Sequence, residues 1–210
     1  VNLLENARAH GVKKFIFAST GGAIYGEHDY FPADEEHPVR PSAPYGINKN
    51  CVEKYLYYYN LVYGLDYVVL RYANVYGPRQ NPHGECGVIA IFTDKILGGT
   101  QPLINGDGKQ TRDYVFVKDV VNANLLAVEA KGPVIYNVAT TRETDVNYIF
   151  DRINHYAGTK FEEKHGPGKL GEQTRSVLSF EKISTELGWQ PETDIETGLK
   201  ITTEFFKQKK

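Results

Sequence analysis

Two short apolar runs flank one helical stretch, and that order leaves the chain few folds to choose from. Lys14–Ala18 reads KFIFA and Tyr67–Tyr72 reads YVVLRY. Near-continuous hydrophobic runs of this length belong to strands buried on both faces, as in a parallel sheet covered by helices. The segment from Tyr45 to Gly64 between them has helical character, with glycine at the stop. Upstream, residues 2–10 (NLLENARAH) read as the end of a helix closed by Gly11. An irregular polar stretch through Pro32, Pro38, Pro41 and Pro44 separates the first strand from the helix. Helix, strand, loop, helix, strand is the rhythm of a parallel α/β sheet.

The second half continues the alternation with a different texture. After a loop over 79–87, a helix is expected at Val88–Leu97, ending at Gly98-Gly99. A short strand and a turn at Asn105–Gly108 occupy 103–112. Val115–Val117 reads as a strand leading into a helix at Val120–Glu129, with Asp119 as its N-cap. Val134–Val138 is a further buried strand. Helices follow at Val146–Tyr156, Glu181–Leu187 and Ile195–Lys207, with a loop at 165–175. No internal repeat or low-complexity linker interrupts the 210 residues, which points to one compact unit.

Composition excludes several function classes. A net charge of -2, with Lys and Arg dispersed, provides no field for nucleic acid. No apolar run approaches the ~20 residues of a membrane helix, and the polar opening at Asn2, Glu5 and Arg8 is unlike a signal peptide. Cys51 and Cys86 lack metal spacing, read as small hydrophobes, and suit a reduced, cytoplasmic setting. The histidines are not paired at ligand spacing, so no metal is expected, and His83 and His165 read as surface loop residues. Tyr55-Leu56-Tyr57-Tyr58-Tyr59 puts rings around more of a helix than one buried face requires, which suggests a partner subunit on the other side.

The chemistry is concentrated in Tyr45-Gly-Ile-Asn-Lys49. Residues four apart share a helix face, so the lysine ammonium favours the phenolate, which can then act as a base. Thr20 stands 25 residues earlier at a strand end, where its hydroxyl can hold an oxygen losing its proton. Arg71-Tyr-Ala-Asn-Val-Tyr-Gly-Pro78 closes the next strand, and Gly106-Asp-Gly108 leads to Thr111-Arg-Asp-Tyr114. Ligands of open α/β sheets bind beyond the strand C-termini, where these segments would meet.

Together these motifs resemble the extended short-chain dehydrogenase/reductases, the NAD-dependent epimerase/dehydratase family, and within it most the UDP-glucose 4-epimerases. The resemblance runs to about Leu199. It implies a Rossmann-like parallel sheet over 1–78 and 115–139, and a smaller α/β sugar-nucleotide-binding region over 79–114 and 140–210. It implies NAD as cofactor, held by Tyr45, Lys49 and Tyr72, a UDP-sugar substrate, and a homodimer for the parent protein. Tyr45 would be the base at the sugar 4-hydroxyl, Lys49 its activator and ribose contact, and Thr20 the partner of the reacting oxygen. Asn74, Gly87, Val88, Arg112, Tyr114 and Lys169 would bind the nucleotide sugar. Related dehydratases place an acid just after the strand-end hydroxyl, where this chain has Gly21-Gly22-Ala23, which favours epimerisation over elimination. Dehydratases and reductases of the family, or an inactive sugar-nucleotide-binding fragment, are the competing readings.

Departures from the family pattern concern the substrate and the start of the chain. Lys169 replaces an arginine, keeping charge but losing the fork. Asn105 stands where an aromatic often stacks on uracil, and plain, N-acetyl and uronic acid sugars all stay open. The Gly-x-x-Gly-x-x-Gly turn with which the family opens does not occur in this sequence. The expectation is an N-terminally truncated form that by itself neither binds NAD tightly nor epimerises.

Overall fold

A computed structural model describes residues 1–83, 87–168, 171 and 173–209. Lys169 and Cys86, both singled out above, lie outside the described residues. The first half is built from α1 (Asn2–Ala9), β1 (Lys14–Thr20), α2 (Gly22–Tyr25), α3 (Pro44–Tyr63) and β2 (Asp66–Tyr72). β1 pairs in parallel with β2, and β2 in parallel with β6 (Val134–Val138). Val68, Val69 and Leu70 are wholly buried, which is why β2 carries no polar alternation. β1 is the outer strand of this sheet among the described residues.

At Ala73 the chain leaves this sheet for a second one. β3 (Asn74–Tyr76) pairs in parallel with β5 (Thr111–Phe116), which also pairs with β7 (Glu143–Asp145) and β9 (Arg175–Ser176). β4 (Ile104–Asn105) pairs with β8 (His165–Gly166). The helices α4 (Val88–Leu97), α6 (Val146–Ala157) and α8 (Ile195–Lys207) bury Ile89, Phe92, Ile149, Phe150 and Leu199 in one core beside β3 and β5. The helices α5 (Val117–Glu129) and α7 (Glu181–Leu187) cover the first sheet, with Trp189 wedged between them. No helix among the described residues is long and apolar enough to cross a membrane, and no group of metal-ligating side chains forms among them.

The structure revises four local expectations. The strand expected at Val115–Val117 starts earlier, at Thr111, because its first residues pair with β7 and β9 from distant sequence. Asp119 is not the N-cap of α5, which is Phe116. It is buried in the first turn, accepting from the backbone N–H and hydroxyl of Thr193. The loop expected at 165–175 begins with the two-residue strand β8 and ends at the first residue of β9, both too short to show a period. Cys51 is exposed rather than packed. The tyrosine run divides: Leu56 and Tyr59 turn inward while Tyr55, Tyr57 and Tyr58 are exposed.

Candidate active site

Four local devices define the catalytic-looking helix and set it against the sheet. Pro44 occupies the first turn of α3, where its missing N–H has no helical partner to lose, and Gly64 closes the helix in the left-handed conformation. At Gly46 the backbone comes close to α2: a Cβ there would sit 2.3 Å from the carbonyl oxygen of Ala23. Lys49 donates through Nζ to the carbonyl of Ala18 at 2.8 Å, and its ammonium lies 5.0 Å from the centre of the Phe17 ring and 5.7 Å from that of Tyr45. Tyr45 is 50% exposed and opens onto the carboxyl ends of β1 and β2.

A cavity of about 690 Å³ runs from this point across to α4. Thr20, Tyr45, Tyr72, Asn74, Gly87, Val88, Arg112 and Tyr114 all line it. Lys49 stands behind Tyr45 rather than in the wall. Eight positions spread over 95 residues of sequence are thus brought to one cleft.

Each wall has its own chemistry. Gly87 caps α4, so the positive end of that helix faces the cavity, an arrangement that attracts phosphate. Arg112 is anchored by Nη1 on the carbonyl of Thr111 at 2.8 Å, which orients its fork. Asn74 donates to the carbonyl of Asp113 at 3.3 Å, its neighbour across β3 and β5 being Tyr114. The Tyr72 hydroxyl is engaged with Asn124 of α5 at 3.0 Å, and burial raises its pKa, so this residue presents its ring and backbone to the cleft rather than a free hydroxyl. Asp113, adjacent to Arg112, is buried and accepts from Thr140 N, Thr140 Oγ1 and Thr141 N at 2.9, 2.7 and 2.9 Å. Burial lifts its pKa to about 6 despite those bonds.

Sequence reading missed Ser19, Gln80, Phe92, Lys95 and Gln110, which also line the cavity. Lys95 had a legible signal. Val88, Ile91, Phe92 and Lys95 fall on one helix stripe, and all four face the cleft, so a cation ends an otherwise apolar face. Gln110 and Gln80 had none, because they are ordered by bonds to Asn105 O and Val75 O that only the fold creates. Another cavity, about 720 Å³, lies between β7 and the loop before α8 and, among the described residues, shares only Tyr114 with the first.

Parallel strands that end on one cleft, with helices on both faces, make this a Rossmann-like α/β fold with its site at the carboxyl edge. Comparison with known proteins narrows the class. A sequence model of the NAD dependent epimerase/dehydratase family matches residues 1–139. The chain is 46% identical over 207 residues to a putative UDP-glucose 4-epimerase of Methanocaldococcus jannaschii, covering 99% of this chain and 67% of that protein. It superposes with a TM-score of 0.96 on the UDP-glucose 4-epimerase of Thermotoga maritima solved with UDP-glucose, at 48% identity, covering 99% of this chain and 67% of the other. With the NAD complex of the Thermus thermophilus UDP-glucose 4-epimerase the TM-score is 0.92, at 42% identity and 98% and 68% coverage. The chain belongs to the NAD dependent epimerase/dehydratase family. It spans about two thirds of the length of these relatives.

Proposed function

We propose that this chain provides the sugar-nucleotide cleft and the base of an enzyme that epimerises a UDP-sugar at C4. The observation that carries the proposal is the single cleft joining Thr20 and Tyr45 at one end to Arg112 and the N-terminus of α4 at the other. A nucleoside diphosphate sugar needs both ends: fixed positive charge for the diphosphate and a base with a hydroxyl partner at the sugar.

The residues present fit the nicotinamide end of NAD. One proton of the Lys49 ammonium is committed to Ala18 O, leaving others for a ribose diol, and half-exposed Tyr45 stands beside it at the strand ends. When bound, NAD supplies the hydride acceptor and returns the hydride. Tyr45 takes the proton of the sugar 4-hydroxyl and later gives it back. Thr20 bonds the same oxygen, and Lys49 keeps the phenol oriented. Asn74, Arg112 and the Gly87–Val88 backbone hold the diphosphate, so the sugar itself can turn and accept hydride on its other face through a 4-keto intermediate. Gly21-Gly22-Ala23 offers no acid for a leaving group, which favours this course over dehydration.

A second copy of the chain is the partner that fits the exposed band of α3 and α1. Tyr55, Tyr57, Tyr58, Leu61 and Val62 are exposed apolar side chains on α3, and Leu3 is exposed on α1. The first sheet then serves the cofactor and the second the sugar nucleotide.

The decisive experiment measures interconversion of UDP-glucose and UDP-galactose with added NAD⁺. It is run on this chain and on the chain joined to a Gly-rich nucleotide-binding segment, with N-acetyl and uronic acid UDP-sugars as a panel. Turnover that Tyr45→Phe removes supports the reading. UDP-sugar binding without turnover in either form refutes it in favour of a binding module.

A further inference from the structure

Glu53 lies two turns beyond Tyr45 on α3, within the sheet-facing side of the helix, and is 5% exposed. Its Oε1 accepts from Ser19 Oγ at 2.6 Å and from Arg71 Nε at 3.2 Å, and its Oε2 from Arg71 Nη2 at 2.7 Å. Ser19 and Arg71 are register partners on β1 and β2, each one residue before the strand-end positions Thr20 and Tyr72. Arg71 Nη1 donates to the Tyr25 hydroxyl at 2.9 Å, and that hydroxyl donates to Asn137 Oδ1 on β6 at 2.8 Å. One buried chain of hydrogen bonds therefore ties α3 to α2 and to all three strands of the first sheet.

We propose that Glu53 and Arg71 are a positioning pair, which sets the height and rotation of α3 so that Tyr45 and Lys49 meet the end of β1. The proposal rests on the reading of Tyr45 as base. A buried ion pair is a poor source of net stability, since desolvation offsets its attraction and apolar residues of similar volume often serve as well. What directional bonds provide is register: a helix packed only by apolar contacts can slide or turn on a sheet. Tyr45 needs such control because its ring is half exposed and little packs around it. Gly46 against Ala23, Lys49 on Ala18 and Glu53 on Ser19 and Arg71 pin the helix at successive turns over about 12 Å of its length. A misplacement of about 1 Å at a reacting group lowers a rate by about 100-fold.

The test uses Glu53→Gln and the apolar pair Glu53→Leu/Arg71→Met in the active enzyme. Expected are kcat values about 10- to 100-fold lower, with KM and the calorimetric Kd for UDP within about twofold of wild type. The thermal midpoint of the apolar pair should stay near wild type. A folded apolar pair with kcat within about twofold of wild type overturns the proposal, as does equal loss of kcat and UDP affinity. Failure of the epimerase reading itself shows in the wild type as absence of interconversion. Amide hydrogen exchange then decides independently. Exchange at Asn48–Val52 at least about tenfold faster in Glu53→Gln, with α8 unchanged, supports the positioning role, and unchanged exchange refutes it.

Discussion

The ammonium of Lys49 is bonded to the backbone of Ala18, two residues before the strand end at Thr20, at 2.8 Å. The helix residue is thereby referenced to the strand that carries its proposed partner, and Tyr45 one turn earlier is carried with it. Replacing Tyr45 by Phe keeps the ring and the helix while removing the proposed proton acceptor. Turnover should fall by at least about 100-fold, the contribution of a positioned general base. UDP-sugar affinity by calorimetry should change by less than about threefold, since the proposed diphosphate contacts, Arg112 and the Gly87–Val88 backbone, line the other end of the cleft. Equal losses in both would assign Tyr45 a structural role.

Arg112→Lys keeps the charge and removes the planar fork. We expect UDP affinity to weaken by about tenfold, or about 1.4 kcal/mol, with an unchanged thermal midpoint, because Arg112 lines the cleft rather than the core. Titration calorimetry against UDP and against uridine separates the effect. The uridine affinity should be unaltered if the fork reads the diphosphate.

Gly46→Ala tests the close approach of α3 to α2. The added Cβ meets Ala23 O at 2.3 Å and Ala23 C at 2.9 Å, backbone atoms that cannot rotate aside. Chemical denaturation should show a loss of about 1–3 kcal/mol, as overpacking costs. Unchanged stability would mean that the helix start is not held there.

His28 predicts a pH effect with a definite sign. Its ring is buried among Tyr25, Phe31 and His37, and neither ring nitrogen has a hydrogen-bond partner among the described residues. Burial, with His37 and Arg175 nearby, lowers its pKa from 6.5 to about 4. Between those values the unfolded chain takes up a proton that the folded chain refuses, so His28 costs stability as pH falls through that window. Asp113, raised from 3.8 to about 6, works in the opposite sense, its contribution declining as pH rises from 3.8 to 6. The two should offset in the wild type. His28→Phe should remove one side of the balance. The difference in unfolding free energy between variant and wild type should then grow by up to about 1.4 kcal/mol per pH unit as pH falls from 6 to 4.5. A difference independent of pH would show that the ring is hydrated in solution.

The exposed face of α3 predicts assembly. Tyr57 is 59% and Leu61 68% exposed on consecutive turns. If a second copy covers them, Tyr57→Asp/Leu61→Asp should convert a dimer to a monomer in sedimentation velocity without unfolding α3, whose buried side is Leu56 and Tyr59.

The sequence determined the elements whose signal is local. The helix boundaries at Val88–Leu97, Glu181–Leu187 and Ile195–Lys207 and the strand Val134–Val138 stand as read, because periodicity and glycine stops are properties of consecutive residues. Tyr45 and Lys49 were legible for the same reason: four-residue spacing on a helix is a local fact. Tertiary structure decided the rest. It set where β5 begins, since its partners are 30 to 64 residues away. It turned Asp119 from a cap into a buried acceptor for Thr193. It made Glu53 the partner of Ser19 and Arg71, a relation that a strand register and a helix crossing create together. Short strands and buried polar bonds take their stability from neighbours distant in sequence, and no window of consecutive residues contains that information.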